Sequence, residues 1–288
     1  MSQKQVKLLE GKLIAGEIRE QIKKDLGDFL QRGLPRPSLL SIQAGDDPSA
    51  DWYIGQQQKA AEKLGLDFEW IKPGAVKNQM DLIRRIKEAG ASPVTGIFIA
   101  MPLPEGYNAD DVLLAMDPRK DVEGVHPASL GLIVLRKSRL IPPTAYAAFQ
   151  LIKSTGIPLR GKKAVIIGQS AIVGRPVQML LGQERVTTVV CNTGTSAEDL
   201  EKIVMSSDIV VACAGSPGTI KGAWIKPGAI VIDVGTTEVE GKLVGDVEFE
   251  AASERAEFIT PVPGGVGPLT VTMLMQNLVN AYKWQHNL

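Results

Sequence analysis

A tyrosine and a glutamine four residues apart, in the segment DWYIGQQQKAAEKLG (Asp51–Gly65), are the first side chains whose types and spacing suggest chemistry. At about 3.6 residues per helical turn Tyr53 and Gln57 share a face, and Lys59 is rotated about 200° from Gln57. An aromatic ring beside an amide can stack on a flat polar ligand and hydrogen-bond to it. A glutamine cannot take up or release a proton as a catalytic acid or base does. The competing reading is a helix face that points at solvent and binds nothing. The two histidines, His126 and His286, and the two cysteines, Cys191 and Cys213, lie in separate segments. They make no metal-spaced cluster and give no basis for a Ser-His-Asp hydrolase, so reduced, buried thiols and no metal are expected.

A second candidate is IIGQSAIVGRP, where an apolar run ends in Gly168 and Gly174 stands where a helix should begin. A strand-turn-helix of this kind turns backbone amides and a helix N-terminus toward a phosphate. The spacing is not GxGxxG, and a tight turn that binds nothing remains open. In a dinucleotide fold an acid about 20 residues after the first glycine reads the adenosine ribose. Here that place is CNTGTS, where Asn192, Thr193 and Thr195 offer neutral hydrogen bonds and only Arg175 is near enough in sequence to pair with a 2′-phosphate.

The elements that must position these groups alternate. Leu13–Leu30 repeats apolar residues at helical spacing, Ser38–Gly45 reads as a buried strand, and Ala50–Leu64 reads as a helix. Leu66–Ile71 (strand), Met80–Ala89 (helix), Gly96–Met101 (strand) and Ala109–Met116 (helix) continue a β-α-β-α series, the pattern of a parallel sheet with helices on both faces. Pro142 and Pro143 break the series. It restarts with strands at Lys162–Gly168, Thr187–Cys191, Asp208–Gly215 and Gly228–Gly235, with helices from about Gly174 and over Ala197–Val204. Thr260–Thr270 is then a Pro/Gly-dense loop, and Val271–Trp284 an amphipathic closing helix.

The 288 residues suit about two domains, 44% apolar content allows a core without staples, and a formal net charge of zero gives no case for nucleic acid or an anionic membrane. The N-terminus is polar and no run of 18 apolar residues follows, so cytoplasmic residence is the expectation.

Over essentially its whole length the chain resembles the methylenetetrahydrofolate dehydrogenase/methenyltetrahydrofolate cyclohydrolase family. The matching stretches are GDDPSADWYIGQQQKAA, MPLPEGYNADDVLLAMDPRKDVEGVHP, GQSAIVGRP, VIDVGTT with KLVGDVEFE, and above all TPVPGGVGPLT. The resemblance implies an α/β chain of two domains: a folate-binding domain over 1–143 plus 270–288, a Rossmann-like NAD(P)-binding domain over 144–269, a cleft between them, and a homodimer. It implies oxidation of the one-carbon bridge of 5,10-methylenetetrahydrofolate with hydride passed to NAD or NADP, followed in most members by hydrolysis of the methenyl product.

The resemblance also assigns residues. Tyr53 is the folate platform and Glu123 the pterin anchor; with Gln57 they form the catalytic set. Ala100 and the loop residues Pro263, Gly264 and Gly265 line the substrate site. Gly168, Gln169, Ser170, Ile172, Val173, Gly174, Arg175, Asn192, Thr195, Gly215 and Thr236 make the cofactor site. The departures converge on the hydrolytic group. Gln57 stands where the family has the lysine of the hydrolytic step, and Ala100 where a glutamine holds that lysine (AMPLP for QLPLP). Glu123 replaces aspartate (KDVEG for KDVDG), Ser129 an asparagine, and PPTA (Pro142–Ala145) the family's PCTP. In the cofactor half Gln169 replaces an arginine and Gly194 a basic residue, both of which grip a 2′-phosphate, so NAD is expected over NADP. The expectation is a dehydrogenase with a weak or lost cyclohydrolase step. Its alternatives are a bifunctional enzyme with a substitute for the lysine, Lys59 being nearest but turned away, and a silent folate- or nucleotide-binding homologue acting as partner subunit or sensor.

Overall fold

The structure, a computed structural model, describes residues 6–288. In chain order its elements are β1 (Lys7–Leu8), α1 (Gly11–Gln31), β2 (Ser38–Ile42), α2 (Pro48–Leu64), β3 (Asp67–Ile71), α3 (Gln79–Ala91), β4 (Gly96–Ile99), α4 (Ala109–Leu114), α5 (Pro127–Val134) and α6 (Pro143–Ser154). The second half runs β5 (Lys163–Ile167), α7 (Gly174–Gln183), β6 (Thr187–Cys191), α8 (Ala197–Met205), β7 (Ile209–Ala212), β8 (Ile230–Asp233), β9 (Thr237–Val239), β10 (Lys242–Val244), α9 (Phe249–Ser253), β11 (Phe258–Ile259) and α10 (Val266–His286).

These elements form two compact units. The first holds Glu17–Pro143 and Val271–Leu288; the second holds Thr144–Thr270 with the described residues up to Gly16.

In the first unit β3, β2 and β4 make a parallel sheet in that order, with Ser41 opposite Trp70 on one side and Phe98 on the other. Parallel strands buried on both faces read as continuous apolar runs, as SLLSI and GIFI do. The Asp47 carboxylate accepts from the Ala50 N–H at 2.9 Å, Pro48 fills the first turn of α2, and Gly65 ends it at φ 77°. The buried stripe of α2 is Ala50, Ile54, Gln57, Ala61 and Leu64. Steps of four, three, four and three residues define a core-facing line, and one of its five members is polar. Leu274, Met275, Leu278 and Val279 of α10 join Ile22, Leu26 and Phe29 of α1 in the same core. The Asn277 amide donates to the Val122 and Ile141 carbonyls at 2.7 and 2.8 Å, pinning α10 to the chain around Glu123.

In the second unit six parallel strands run in the order β1-β11-β8-β7-β5-β6, and β9 and β10 form a separate antiparallel hairpin.

Four features differ from the sequence expectations. The first residues belong with the second unit, not the first, because Lys7 and Leu8 pair with Phe258 and Ile259. Pro142 and Pro143 do not simply break the chain: Pro143 starts α6, where a missing N–H costs nothing. Helix α5 begins the same way at Pro127, and the His126 Nδ1 accepts from the Ala128 N–H at 3.0 Å as its cap. The closing helix starts at Val266, five residues before the expected Val271, since Pro268 falls in its first turn and is tolerated there.

Candidate active site

The opening question, what the Tyr53/Gln57 face points at, has a structural answer. Gln57 is 0% exposed, which excludes the solvent-facing reading, whereas Lys59 is exposed. The Ser41 hydroxyl, also fully buried, donates to Gln57 Oε1 at 2.8 Å. Gln57 Nε2 has no hydrogen-bond partner, and exchanging the amide's two ends would only move the deficit to the oxygen. An unmet polar atom at 0% exposure costs about 1–3 kcal/mol, a cost that a ligand's acceptor could offset.

Tyr53 is half-buried, its ring centroid 5.7 Å from that of Phe98 and tilted by 56°. Burial raises its hydroxyl pKa above the usual value, and the Glu123 charge raises it further, so the phenol stays protonated. The start of α2 is tied to the end of β2 by the Gln43 amide, which donates to Asp51 Oδ1 at 2.7 Å and to the Gly45 carbonyl at 3.1 Å. That tie fixes where the Tyr53 turn begins. Ala100 is buried and contributes a methyl group; its N–H donates to the Ile42 carbonyl at 2.9 Å.

Glu123 is partly buried, and its pKa is pushed up to about 8, first by desolvation and then by the charge of Asp121. Asp121 is fully buried; its Oδ2 accepts from the His126 N–H at 2.8 Å and the Ser129 hydroxyl at 2.7 Å, and its Oδ1 has no partner. Desolvation likewise raises the Asp121 pKa. Ser129 thus takes a defined role, holding one oxygen of this carboxylate. Lys120, also buried, donates through Nζ to the Ala89 and Ser92 carbonyls at 3.0 and 2.7 Å, anchoring the KDVEG segment to the end of α3.

Sequence reasoning missed Ser41, Asp121 and Lys120. The signal for Ser41 was a polar residue inside an apolar strand run; for the other two it was a charged pair one residue before Glu123, across Val122.

In the second unit Gly168, at φ 118°, ends β5 with its Cα against the Cys213 carbonyl, and a Cβ there would overlap that oxygen. A Cβ on Gly174 would overlap the Gly168 carbonyl. The turn is therefore as tight as a phosphate cradle requires, and no side chain caps α7, whose N-cap residue is Val173. Gln169, Ser170, Ile172 and Arg175 are exposed around it, and Val173 is buried. Ser170 Oγ accepts from the Val173 N–H at 3.1 Å. Beyond β6 the Asn192 Oδ1 accepts from the Gly194 N–H at 2.8 Å, and Thr195 Oγ1 accepts from the Asn192 N–H at 3.1 Å, so this loop is self-ordered. Gly215 and Thr236 are exposed at the ends of β7 and β8. These residues fit a dinucleotide: a cradle that tolerates only glycine, an uncapped helix start, and neutral hydrogen-bonding groups beyond β6. Pro263, Gly264 and Gly265 lie in this second unit too, where the Gly264 carbonyl accepts from the Gly11 N–H at 3.1 Å.

Comparison with known proteins decides the family. Residues 9–123 match the model of the tetrahydrofolate dehydrogenase/cyclohydrolase catalytic domain, and residues 142–286 match that of the tetrahydrofolate dehydrogenase/cyclohydrolase NAD(P)-binding domain. The chain belongs to the tetrahydrofolate dehydrogenase/cyclohydrolase family. It is 41% identical over 279 residues to the bifunctional protein FolD of Geotalea uraniireducens, covering 96% of this chain and 99% of that protein. Identity to bifunctional protein FolD 2 of Myxococcus xanthus is 42%, covering 95% of each. Among solved structures, the Trypanosoma brucei N5,N10-methylenetetrahydrofolate dehydrogenase-cyclohydrolase in complex with NADP and an inhibitor superposes with a TM-score of 0.93 at 34% identity, covering 99% of both chains. Among the described residues no helix is long and apolar enough to cross a membrane, and no cluster of three His, Cys, Asp or Glu could hold a metal.

Proposed function

We propose that this chain oxidises 5,10-methylenetetrahydrofolate to the 5,10-methenyl compound, with hydride passed to NAD in preference to NADP, and that its hydrolytic step is weak or lost. The observation that carries the reading is the buried Gln57 amide, held by Ser41 at 2.8 Å, beside an aromatic platform and with no ammonium group in its place. A bound nicotinamide dinucleotide would accept hydride; the protein's part is alignment of the two reactants, which itself lowers barriers substantially. Tyr53 supplies the stacking surface, Gln57 a hydrogen-bonding amide, and Glu123 an anchor for the pterin edge. Gly168 and Gly174 hold the pyrophosphate.

The NAD preference rests on Gln169 and Gly194 standing where cations would grip a 2′-phosphate. Charge-assisted hydrogen bonds are worth about 1.5–3 kcal/mol each, so losing two shifts preference by on the order of a hundredfold or more. Initial rates and calorimetric titrations with NAD, NADP and tetrahydrofolate test this. Turnover with NAD at least tenfold more efficient than with NADP is expected; an NADP preference contradicts it, with Arg175 the first residue to examine. Binding of both ligands without turnover supports the silent homologue instead.

One observation favours a second reading, in which both activities persist: Glu123, with its pKa near 8, can exchange a proton at neutral pH where Gln57 cannot.

A further inference from the structure

The paired motifs VIDVGTT and VGDVE hold two carboxylates that the proposed chemistry does not use. Asp246 is 0% exposed, and its Oδ2 accepts from the Ala214 and Gly215 N–H groups at 2.7 and 3.0 Å while Oδ1 accepts from the Ser216 N–H at 2.8 Å. Three successive backbone amides thus converge on one internal anion, filling a concavity of the kind that otherwise binds a phosphate oxygen. The Asp246 N–H in turn donates to Asp233 Oδ1 at 3.0 Å, and Asp233 accepts also from Gly235 (3.0 Å) and Val247 (2.9 Å). The Asp233 N–H donates to Thr260 Oγ1 at 2.7 Å, at the start of the TPVPGG loop. Both carboxylates are packed against glycines, Gly235 beside Asp246 and Gly245 beside Asp233, where a Cβ would overlap the carboxylate.

The segment that Asp246 grips has a particular place in the sheet. With β6 on one side of β5 and β7 on the other, strand order reverses at β5, and in open α/β sheets ligands bind outside the carboxyl ends of the strands at such a point. Ala214–Ser216 follows the end of β7, and Cys213 just before it donates its N–H to the Ile167 carbonyl at 2.8 Å and abuts Gly168. The three residues are exposed, so what Asp246 organises is a surface beside the glycine turn.

We propose that Asp246 is a positioning residue of the dinucleotide site. It turns the amides of Ala214, Gly215 and Ser216 inward and denies them to the pyrophosphate; with the Ser216 carbonyl accepting from Thr219 and the Gly215 carbonyl from Thr237, it leaves the Ala214 carbonyl to accept from the amide donor of the nicotinamide. This rests on the oxidoreductase reading above.

The test is calorimetric titration of the full chain with NAD and, separately, tetrahydrofolate, for wild type and Asp246→Asn. The asparagine offers one acceptor oxygen to three donors and aims its own N–H groups at the rest. NAD affinity should fall at least tenfold, with tetrahydrofolate affinity within twofold and KM for NAD raised more than kcat is lowered. A folded Asp246→Asn protein that binds NAD within twofold of wild type overturns the proposal, as does one that loses both ligands equally. Hydrogen exchange on the wild type gives a readout that needs no variant: saturating NAD should slow exchange at residues 214–216, and unchanged exchange there overturns the proposal. Wild type that binds neither NAD nor NADP overturns the oxidoreductase reading and this proposal with it; wild-type binding beside an unaffected variant overturns this proposal alone.

Discussion

At the scale of single residues, the candidate site buries two polar atoms without protein partners. Gln57 Nε2 and Asp121 Oδ1 both lack a protein hydrogen bond, and both lie in the first unit, as does Glu123. Glu123 has a consequence measurable without any ligand. Its pKa is pushed up to about 8 by burial and by Asp121, against an ordinary value of 4.5. Between those values the native state holds the proton that the unfolded chain has released, so stability falls as pH rises from about 4.5 to 8. Below 4.5 both states are protonated and the effect vanishes. Glu123→Gln removes this contribution, and its melting temperature should drop less than that of wild type between pH 5 and pH 8 in thermal scans. Parallel curves for the two proteins would show that Glu123 titrates normally.

At the scale of elements, the strand-turn-helix of β5 and α7 is held together by glycines at its two closest backbone approaches. Gly174→Ala places a methyl group on the Gly168 carbonyl. Expected outcomes are at least a tenfold loss of dinucleotide affinity and a lowered melting temperature, with tetrahydrofolate affinity within twofold, since that site's aromatic platform and amide lie in the other unit. Titration of the variant with both ligands checks this. The same scale shows why the sequence revealed some elements and hid others. Runs such as KKAVIIG, TTVVC and GAIVIDVG carry their strand character in consecutive apolar residues and were placed to within a residue or two. Two-residue strands like Lys7–Leu8 and Phe258–Ile259 carry no period at all. Helices that begin with proline, at Pro127 and Pro143, look like breaks until the missing N–H is recognised as one that no helix start uses. Tyr53 and Gln57 could be named as candidates from helical spacing, and Glu123 from the resemblance of KDVEG to a family motif. Ser41, Asp121 and Asp246 act through partners whose proximity only folding creates.

At the scale of the molecule, one edge of the six-stranded sheet is β6, which leaves Thr187 exposed and Thr188, Val189 and Val190 only partly covered. A bare edge with apolar side chains invites pairing, and a second copy of the chain is the partner that closed two-fold symmetry favours. Light scattering at micromolar concentration should give about twice the 30.9 kDa of one chain. Introducing Thr187→Lys at the exposed start of that edge should shift the mass toward the monomer; a wild-type monomer contradicts the expectation.

The central claim is that replacing an ammonium group by the Gln57 amide separates oxidation from hydrolysis. Opening a methenyl bridge needs water to add and protons to move, and a positioned acid or base supplies about 10²–10⁴-fold to such steps. Ala100 adds nothing that could orient a proton carrier. The most direct measurement follows the disappearance of 5,10-methenyltetrahydrofolate with and without the protein, in parallel with NAD-linked oxidation of the methylene compound. The account predicts hydrolysis near the spontaneous rate with oxidation clearly measurable. It also predicts that Gln57→Lys together with Ala100→Gln and Glu123→Asp raises hydrolysis more than Gln57→Lys alone. Hydrolysis by the unmodified protein far above background would contradict it and assign the proton to another group, Glu123 first.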